Sequence, residues 1–508
     1  MRRGPGQHNE RRRYHGAAQP RYASQKSDKQ EADSHPPPAT VDEGRQVPRR
    51  SHTSAAGSSG VAVALTHGWV PLIVQLITAV VLLAAIGWRT RRWRLLWLPV
   101  ALVAGVTLSG AFAWYIADRG LADDPAPAAM WVWITVTGLA GVVMLAGWRD
   151  GSWWRRGASA LAVPLSLLCA ALMLNSWVGY FPTVASAWDG MTGAPLPGQT
   201  GAATASAPNW KTIVSVTTPD NVSGFKHRQE LVLLPPAWYA SKPPPALPVV
   251  MMIGGEFGQP GAWIYAGNAQ RTFDQFAAAH GGSAPVIVFP DYSGSFSNDT
   301  ECVNGVRGNA ADHLLKEVMP YVVANFGVSP NAANWGIVGW SSGGTCALML
   351  SVMHPELFGA FVDMDGELGP NAGTKPQTIA RLFGGDAKAW AAFDPRTVIA
   401  NHGTYPGMSG WFAVSADTAT VYHAPNDTAP LPTGDPSPSP SSANHAAVAN
   451  SLCRLASIHG IECAVVPDPG KHDFSFAASS FAVALPWLAG KLGTPGVPAI
   501  AMPGAPHQ

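Results

Sequence analysis

Charge is scarce in this chain: Asp, Glu, Lys and Arg make up 13% of its 508 residues, and the formal net charge is +1. That balance excludes a nucleic-acid binder, which needs a basic surface. The one basic stretch, residues 1–60, carries 11 Lys/Arg against 6 Asp/Glu without stacking or base-reading residues, and reads as a solvated, disordered arm. Cysteine is equally sparse, at five. No Cys-x-x-Cys or clustered His spacing accompanies it, which argues against a metal, and no organic cofactor is implied. A cleavable signal peptide does not fit, because the first apolar segment begins late and three more follow.

What is abundant is apolar: 47% of residues are hydrophobic and 20 are Trp. Four long apolar segments, about 65–88, 95–117, 128–148 and 158–178, each approach the ~20 residues that cross a bilayer. Trp88, Trp93, Trp114, Tyr115, Trp131, Trp148 and Trp177 gather at their ends, as interfacial aromatics do. The segments hold almost no ionisable residues, so a channel or transporter path is not indicated. The loops 89–94 and 148–156 are basic and 118–124 is acidic, which places the basic loops in the cytoplasm and everything after the fourth segment outside. Four crossings then put the basic tail outside as well, against the same rule. The loops outweigh the tail, because residues 51–66 separate its charges from the first segment and long tails count little.

Residues 180–208 form a Pro/Gly/Ala/Ser-rich connector, and short apolar strands then alternate with amphipathic helices. Candidate strands are 226–234, 247–253, 284–289, 334–338, 360–364, 410–414 and 462–466; candidate helices are 310–326, 343–353 and 444–460. The expected fold is a four-helix, all-α transmembrane region followed by an α/β-hydrolase domain, a mostly parallel sheet with helices on both faces. The expected units are a tail at 1–60, transmembrane helices at 61–183, a linker at 184–210, the hydrolase domain at 211–492 and a Pro/Gly-rich tail at 493–508.

The single Gly-x-Ser-x-Gly is Gly339-Trp340-Ser341-Ser342-Gly343. An apolar strand enters it and an apolar helix leaves it, the strand–turn–helix context of a nucleophile elbow, and its phase selects Ser341 over Ser342. A serine needs an adjacent base. In Pro469-Gly470-Lys471-His472-Asp473-Phe474, His472 follows the last strand and precedes a helix at 481–492, where this fold delivers its histidine. His423 and His445 lie in a longer polar loop, and His354 opens the turn after the nucleophile helix. An oxyanion hole needs two backbone N–H groups: that of Ser342, and one from Gly254-Gly255-Glu256-Phe257-Gly258, with Glu256 favoured over Phe257. Phe257 and Trp340, beside these donors in sequence, are the expected substrate contacts. The triad acid is expected at Asp417, just past the strand 410–414, with Asp427 as runner-up. Asp365 and Glu367 follow an earlier strand and would need an unusual placement.

These motifs resemble the esterase family of α/β hydrolases that includes esterase D-type enzymes and the antigen 85 mycolyltransferases. The resemblance rests on the Gly-Gly loop followed by Trp263, on Gly339-Trp-Ser341-Ser-Gly343-Gly344, on His354-Pro-Glu-Leu-Phe358, and on Gly470-Lys-His472-Asp-Phe ahead of Leu485-Pro-Trp487-Leu. It spans about 211–492, and with the multi-span half and Asn175-Ser-Trp-Val-Gly-Tyr-Phe-Pro-Thr it looks like a membrane-anchored actinobacterial branch. It implies hydrolysis or transfer of an acyl ester, including envelope lipids, with no cofactor. The chain departs from the family pattern at Ser415-Ala416 and at Asp365-Gly366-Glu367. The rival class is an idle envelope-binding domain on a membrane anchor.

Cys302, Cys346, Cys453 and Cys463 all fall in the C-terminal half, whereas Cys169 lies in an apolar run. An even set in an exported domain fits disulfides, with three connectivities open. The hypothesised pairs are Cys302–Cys346 and Cys453–Cys463. Residues 366–407, between two core strands, are long enough for a lid.

Overall fold

The computed structural model describes residues 64–506, except 89, 122–125, 150, 193–195, 197–198, 202–211 and 427–441. The 1–60 tail, much of the 184–210 linker and Asp427 therefore lie outside the described residues. The apolar segments form the helices α1 (Trp69–Ala85), α2 (Leu98–Arg119, preceded by a wide turn at Trp93–Trp97), α3 (Ala128–Gly147) and α4 (Trp153–Val178). Three stretches, Trp93–Arg119, Ala128–Gly147 and Trp153–Val178, are long and apolar enough to cross a membrane. The first helix is apolar but shorter, at 17 residues. It packs on α4, where the Thr78 hydroxyl lies 3.3 Å from the Cys169 thiol. At one end of the bundle Arg155 donates to the Ala85 carbonyl (2.9 Å) and lies over the Trp93 ring.

The catalytic-type domain is built on a ten-stranded sheet. Its strands are β1 (Gln199–Gly201), β2 (Thr212–Val216), β3 (Glu230–Leu234), β4 (Val249–Ile253), β5 (Val286–Phe289), β6 (Trp335–Trp340), β7 (Ala360–Met364), β8 (Ser409–Val414), β9 (Val421–His423) and β10 (Glu462–Pro467). They lie in the order β1-β2-β3-β5-β4-β6-β7-β8-β10-β9. The run from β5 to β10 is parallel, and antiparallel pairs bring in β2, β3 and β9 at the margins. All seven candidate strands are present, while β1, β2 and β9 went unread. His423 thus lies on an edge strand rather than in a loop.

The central strands are apolar throughout because both faces are covered. On β4, Val249, Met251 and Ile253 enter one buried cluster and Val250 and Met252 the other. Connections of this kind deliver loops at the carboxyl ends of the parallel strands, which is where ligands meet such sheets. The C-terminal segment is docked rather than trailing: Met502 is buried, and Gly504 sits against Tyr422. The stretch 366–407 carries three helices, Lys375–Phe383, Ala387–Phe393 and Pro395–His402.

Disulfides join Cys302 to Cys346 and Cys453 to Cys463, with Cα–Cα separations of 5.7 and 5.6 Å. The first ties the loop after β5 to the helix Ser342–Met353, and the second ties the helix Ser442–Ile458 to β10.

The chain just past α4 is tied down. The helical bundle and the sheet belong to one compact unit. Asn175 near the end of α4 exchanges two hydrogen bonds with the Phe181 backbone (2.7 and 2.9 Å), fixing the turn that follows the helix. Arg381 donates to the Ala117 carbonyl at 2.7 Å and Arg307 to that of Arg119, both at the end of α2.

Candidate active site

Ser341 follows β6 directly and precedes the helix Ser342–Met353, with φ 59° and ψ −127°. A non-glycine residue held there costs about 1–3 kcal/mol and persists only where its surroundings over-determine it. The flanking glycines supply that constraint. A Cβ on Gly339 would lie 1.8 Å from the Gly343 carbonyl oxygen, and one on Gly343 would lie 2.3 Å from that of Gly254. Both positions therefore exclude a side chain, and the serine is turned out at the strand's end.

His472 reaches Ser341 from the loop after β10: Nε2 lies 2.9 Å from Oγ. The helix after it starts at Phe474, capped by the Asp473 carboxylate, which accepts from the N–H groups of Ser475 and Phe476. It thus begins earlier than the sequence suggested and holds His472 at its threshold. Trp340 is buried, its ring tilted by 38° against that of His472 at 5.2 Å, with Phe474 behind it at 4.5 Å. Trp340 therefore backs the imidazole and is not a surface for substrate. The phenyl ring of Phe257, 5.3 Å from the exposed Phe296, is the more accessible of the two expected contacts.

The acid beside the histidine is Asp365. Its Oδ2 lies 3.1 Å from His472 Nδ1, and its Oδ1 accepts the Ser415 N–H at 2.9 Å. Asp417 is exposed at the surface and does not meet His472. The reason is strand order. β7 runs directly beside β6, with Met364 opposite Trp340, so the residue after β7 emerges next to the nucleophile. β8 lies one strand farther out, and its end donates an N–H to Asp365 instead of supplying the acid. Burial would raise the Asp365 pKa, but the His472 hydrogen bond and the charges of His445 and His472 outweigh it and hold it below the usual value. Its neighbour Asp363 shows the opposite result. Burial, with the Asp365 charge adding, pushes it up to about 8, despite the N–H of Gly366 donating to it. One acid of the pair is ionised and the other neutral at pH 7.

His445 is a further resident. Its ring is stacked parallel to that of His472, with centroids 4.8 Å apart. Asp365, His445 and His472 each present a ligand atom within 4.8 Å of the others, as do His227, Glu230 and His313 elsewhere. In the first group Asp365 is engaged with His472 and His472 with Ser341, as a proton-transfer chain requires. In the second, His313 bridges Glu230 (3.2 Å) and Glu317 (2.8 Å). Burial opposes charge on His313, but those two carboxylates prevail and raise its pKa, while Glu317 falls to about 2. Glu230, His313 and Glu317 thus form a buried hydrogen-bonded ion network.

The loop after β4 lies against the nucleophile: a Cβ on Gly255 would meet Trp340 at 2.9 Å and the Ser341 Cβ at 3.3 Å. Gly255–Gly258 is a tight turn closed by the Gly258 N–H on the Gly255 carbonyl (2.9 Å), with Phe257 at φ 61°. Tyr292 donates to the Gly255 carbonyl (2.7 Å) and Arg228 to that of Gly258 (2.8 Å). Arg228 is itself held by Asp291 at 2.7 and 2.9 Å. On the other side, Ser342 opens its helix beside Ser341, where the helix's N-terminal potential favours a developing oxyanion.

A family profile described as "Putative esterase" matches residues 226–407. An uncharacterized protein of Corynebacterium glutamicum is 31% identical over 366 residues, covering 69% of this chain and 84% of that protein. The chain belongs to the esterase family. It is a carboxylic-ester hydrolase or acyltransferase. Among solved structures, a ferulic acid esterase aligns with TM-score 0.41 at 16% identity, covering 56% of this chain and all of that one. An S-formylglutathione hydrolase from Agrobacterium tumefaciens aligns with TM-score 0.39 at 16% identity, over 52% and 90% of the two chains. MPT51 of Mycobacterium tuberculosis aligns with TM-score 0.37 at 18% identity, over 55% and 99%. The stretch matching the family contains Ser341 and Asp365; His472 lies beyond it.

Proposed function

We propose that this chain is a membrane-anchored serine esterase or acyltransferase working through an acyl-enzyme on Ser341. The observation that carries the reading is the continuous chain Ser341 Oγ–His472 Nε2 and His472 Nδ1–Asp365 Oδ2, at 2.9 and 3.1 Å. With Asp365 ionised, Nδ1 carries the imidazole proton and Nε2 is free to accept from the serine. Ser341 Oγ attacks the ester carbonyl while its proton passes to Nε2. The oxyanion is received by backbone N–H groups of Ser342 and of the Gly255–Gly258 turn. Collapse expels the alkoxide, which takes the proton from Nε2. Water or a second alcohol, deprotonated by the same nitrogen, then releases the acyl group. Water gives hydrolysis and an alcohol gives transfer.

The catalytic domain lies on the extracytoplasmic side, and α1 completes a set of four spans. The basic loops at 89–94 and 148–156 and the two disulfides support that side. Helix α1, at about 1.5 Å per residue, extends ~25 Å, and its apolar flanks extend the stretch toward the bilayer's ~30 Å. A fluorophosphonate probe applied to membranes tests the chemistry. Labelling that vanishes in Ser341→Ala is expected; labelling that persists there, or none in the parent, refutes it. Protease digestion of intact cells tests the side, with cleavage of the catalytic domain from outside expected.

A further inference from the structure

The chain leaving α4 returns to the active site. Two residues past the helix end at Val178, the Tyr180 ring packs at 5.1 Å against Phe474, two residues after His472. Its hydroxyl donates to the Glu256 carbonyl at 2.7 Å. Gly179 has φ 78°, and a Cβ there would come within 3.3 Å of the Phe474 nitrogen; the paired hydrogen bonds of Asn175 to Phe181 fix the strap on either side. The membrane half thus reaches both walls of the site, the histidine loop and the turn after β4.

We propose that Tyr180 is a positioning residue for the oxyanion turn. The proposal rests on the acyl-enzyme reading above. Glu256 and Phe257 are the central residues of that turn, and Phe257 holds a left-handed φ of 61°. A side chain larger than glycine at this position disfavours the turn, and rotating the Glu256–Phe257 peptide relieves it. Such a rotation reverses both the Glu256 carbonyl and the Phe257 N–H, the second of the two candidate oxyanion donors in this turn, because in a trans peptide the two point oppositely. The hydroxyl of Tyr180 binds that carbonyl and so opposes the rotation. Tyr292 and Arg228 hold the carbonyls of Gly255 and Gly258, the corners of the turn, but neither touches the central peptide. Burial drives the Tyr180 and Tyr292 hydroxyls well above the usual phenol pKa, so both stay protonated donors at working pH. Tyr180 reaches no reacting atom; it acts through the turn.

The test is Tyr180→Phe in the full-length protein in detergent, which keeps the ring against Phe474 and removes only the hydroxyl. Turnover of a short-chain nitrophenyl ester is expressed per active site titrated with a fluorophosphonate, so a changed folded fraction does not enter. The expected result is a fall in kcat on the order of tenfold with KM within twofold, below the ~10²–10³ that loss of an oxyanion donor itself costs. Inhibition by an alkyl boronic acid, a tetrahedral mimic on Ser341, should weaken in parallel with kcat/KM. A kcat within twofold of the parent, or unchanged boronic acid affinity, overturns the assignment. Ser341→Ala is measured beside it. Residual turnover there sinks the acyl-enzyme reading, whereas an inactive Ser341→Ala beside a full-speed Tyr180→Phe sinks only the role of Tyr180.

Discussion

The Asp365 carboxylate and the His472 imidazole, 107 residues apart in sequence, meet at 3.1 Å, and the carboxylate is wholly buried. Asp365→Asn keeps the shape but no longer selects the imidazole tautomer or stabilises the imidazolium. It should lower kcat by about 10³–10⁴. Asp417→Asn, at an exposed position, should stay within twofold. Ester turnover by the two purified variants separates them; an inactive Asp417→Asn beside an active Asp365→Asn would contradict the geometry.

Asp363 gives a prediction about stability and pH. Its folded pKa, about 8, lies above the usual aspartate value. The fold therefore binds this proton more tightly than the unfolded chain does. Stability from this group is complete below pH ~4 and is lost as pH rises toward 8. Asp363→Asn still accepts from the Gly366 N–H and never ionises. It should raise Tm more at pH 8 than at pH 5; an equal shift at both would mean that Asp363 is not held neutral.

Asn175 lies on α4, yet it holds the segment that carries Tyr180. Asn175→Ala should lower kcat in the same direction as Tyr180→Phe but by less, with folding intact. Because both act through one strap, their combined effect should be smaller than the product of the single effects. Independent, multiplicative losses would show that α4 does not hold Tyr180 in place.

Peptide mapping without reductant on natively expressed protein should find Cys302 joined to Cys346 and Cys453 to Cys463. Losing the first bridge, with its loop of 44 residues, should cost about 3–4 kcal/mol in the chain-entropy picture, read as a lower Tm. Four free thiols would remove both the pairing and a support for the extracytoplasmic side.

What could be read from the sequence depended on how local the signal is. The buried strands are continuous apolar runs, and the elbow's glycines and serine adjoin, so β3–β8, β10, Ser341 and His472 were legible. Strands toward the margins of the sheet, such as Thr212–Val216 and Val421–His423, carry no such run. The acid was misplaced because the assignment depends on which strands are neighbours, a long-range fact. The signal was still present: in Ala360-Phe-Val-Asp363-Met-Asp365-Gly366 one carboxylate interrupts a strand otherwise built for burial and a second follows directly at its end. One is the neutral Asp363 and the other faces His472. Tyr180 had no such marker, since its partner is a backbone carbonyl 76 residues away.

The acyl-enzyme is most directly tested by acid-quenching the full-length protein during turnover of a slow ester and mapping its peptides by mass. One acylated peptide, with the acyl group on Ser341, is expected in the parent and absent from Ser341→Ala and His472→Ala. An acyl group on another residue, or turnover that survives in Ser341→Ala, would contradict it.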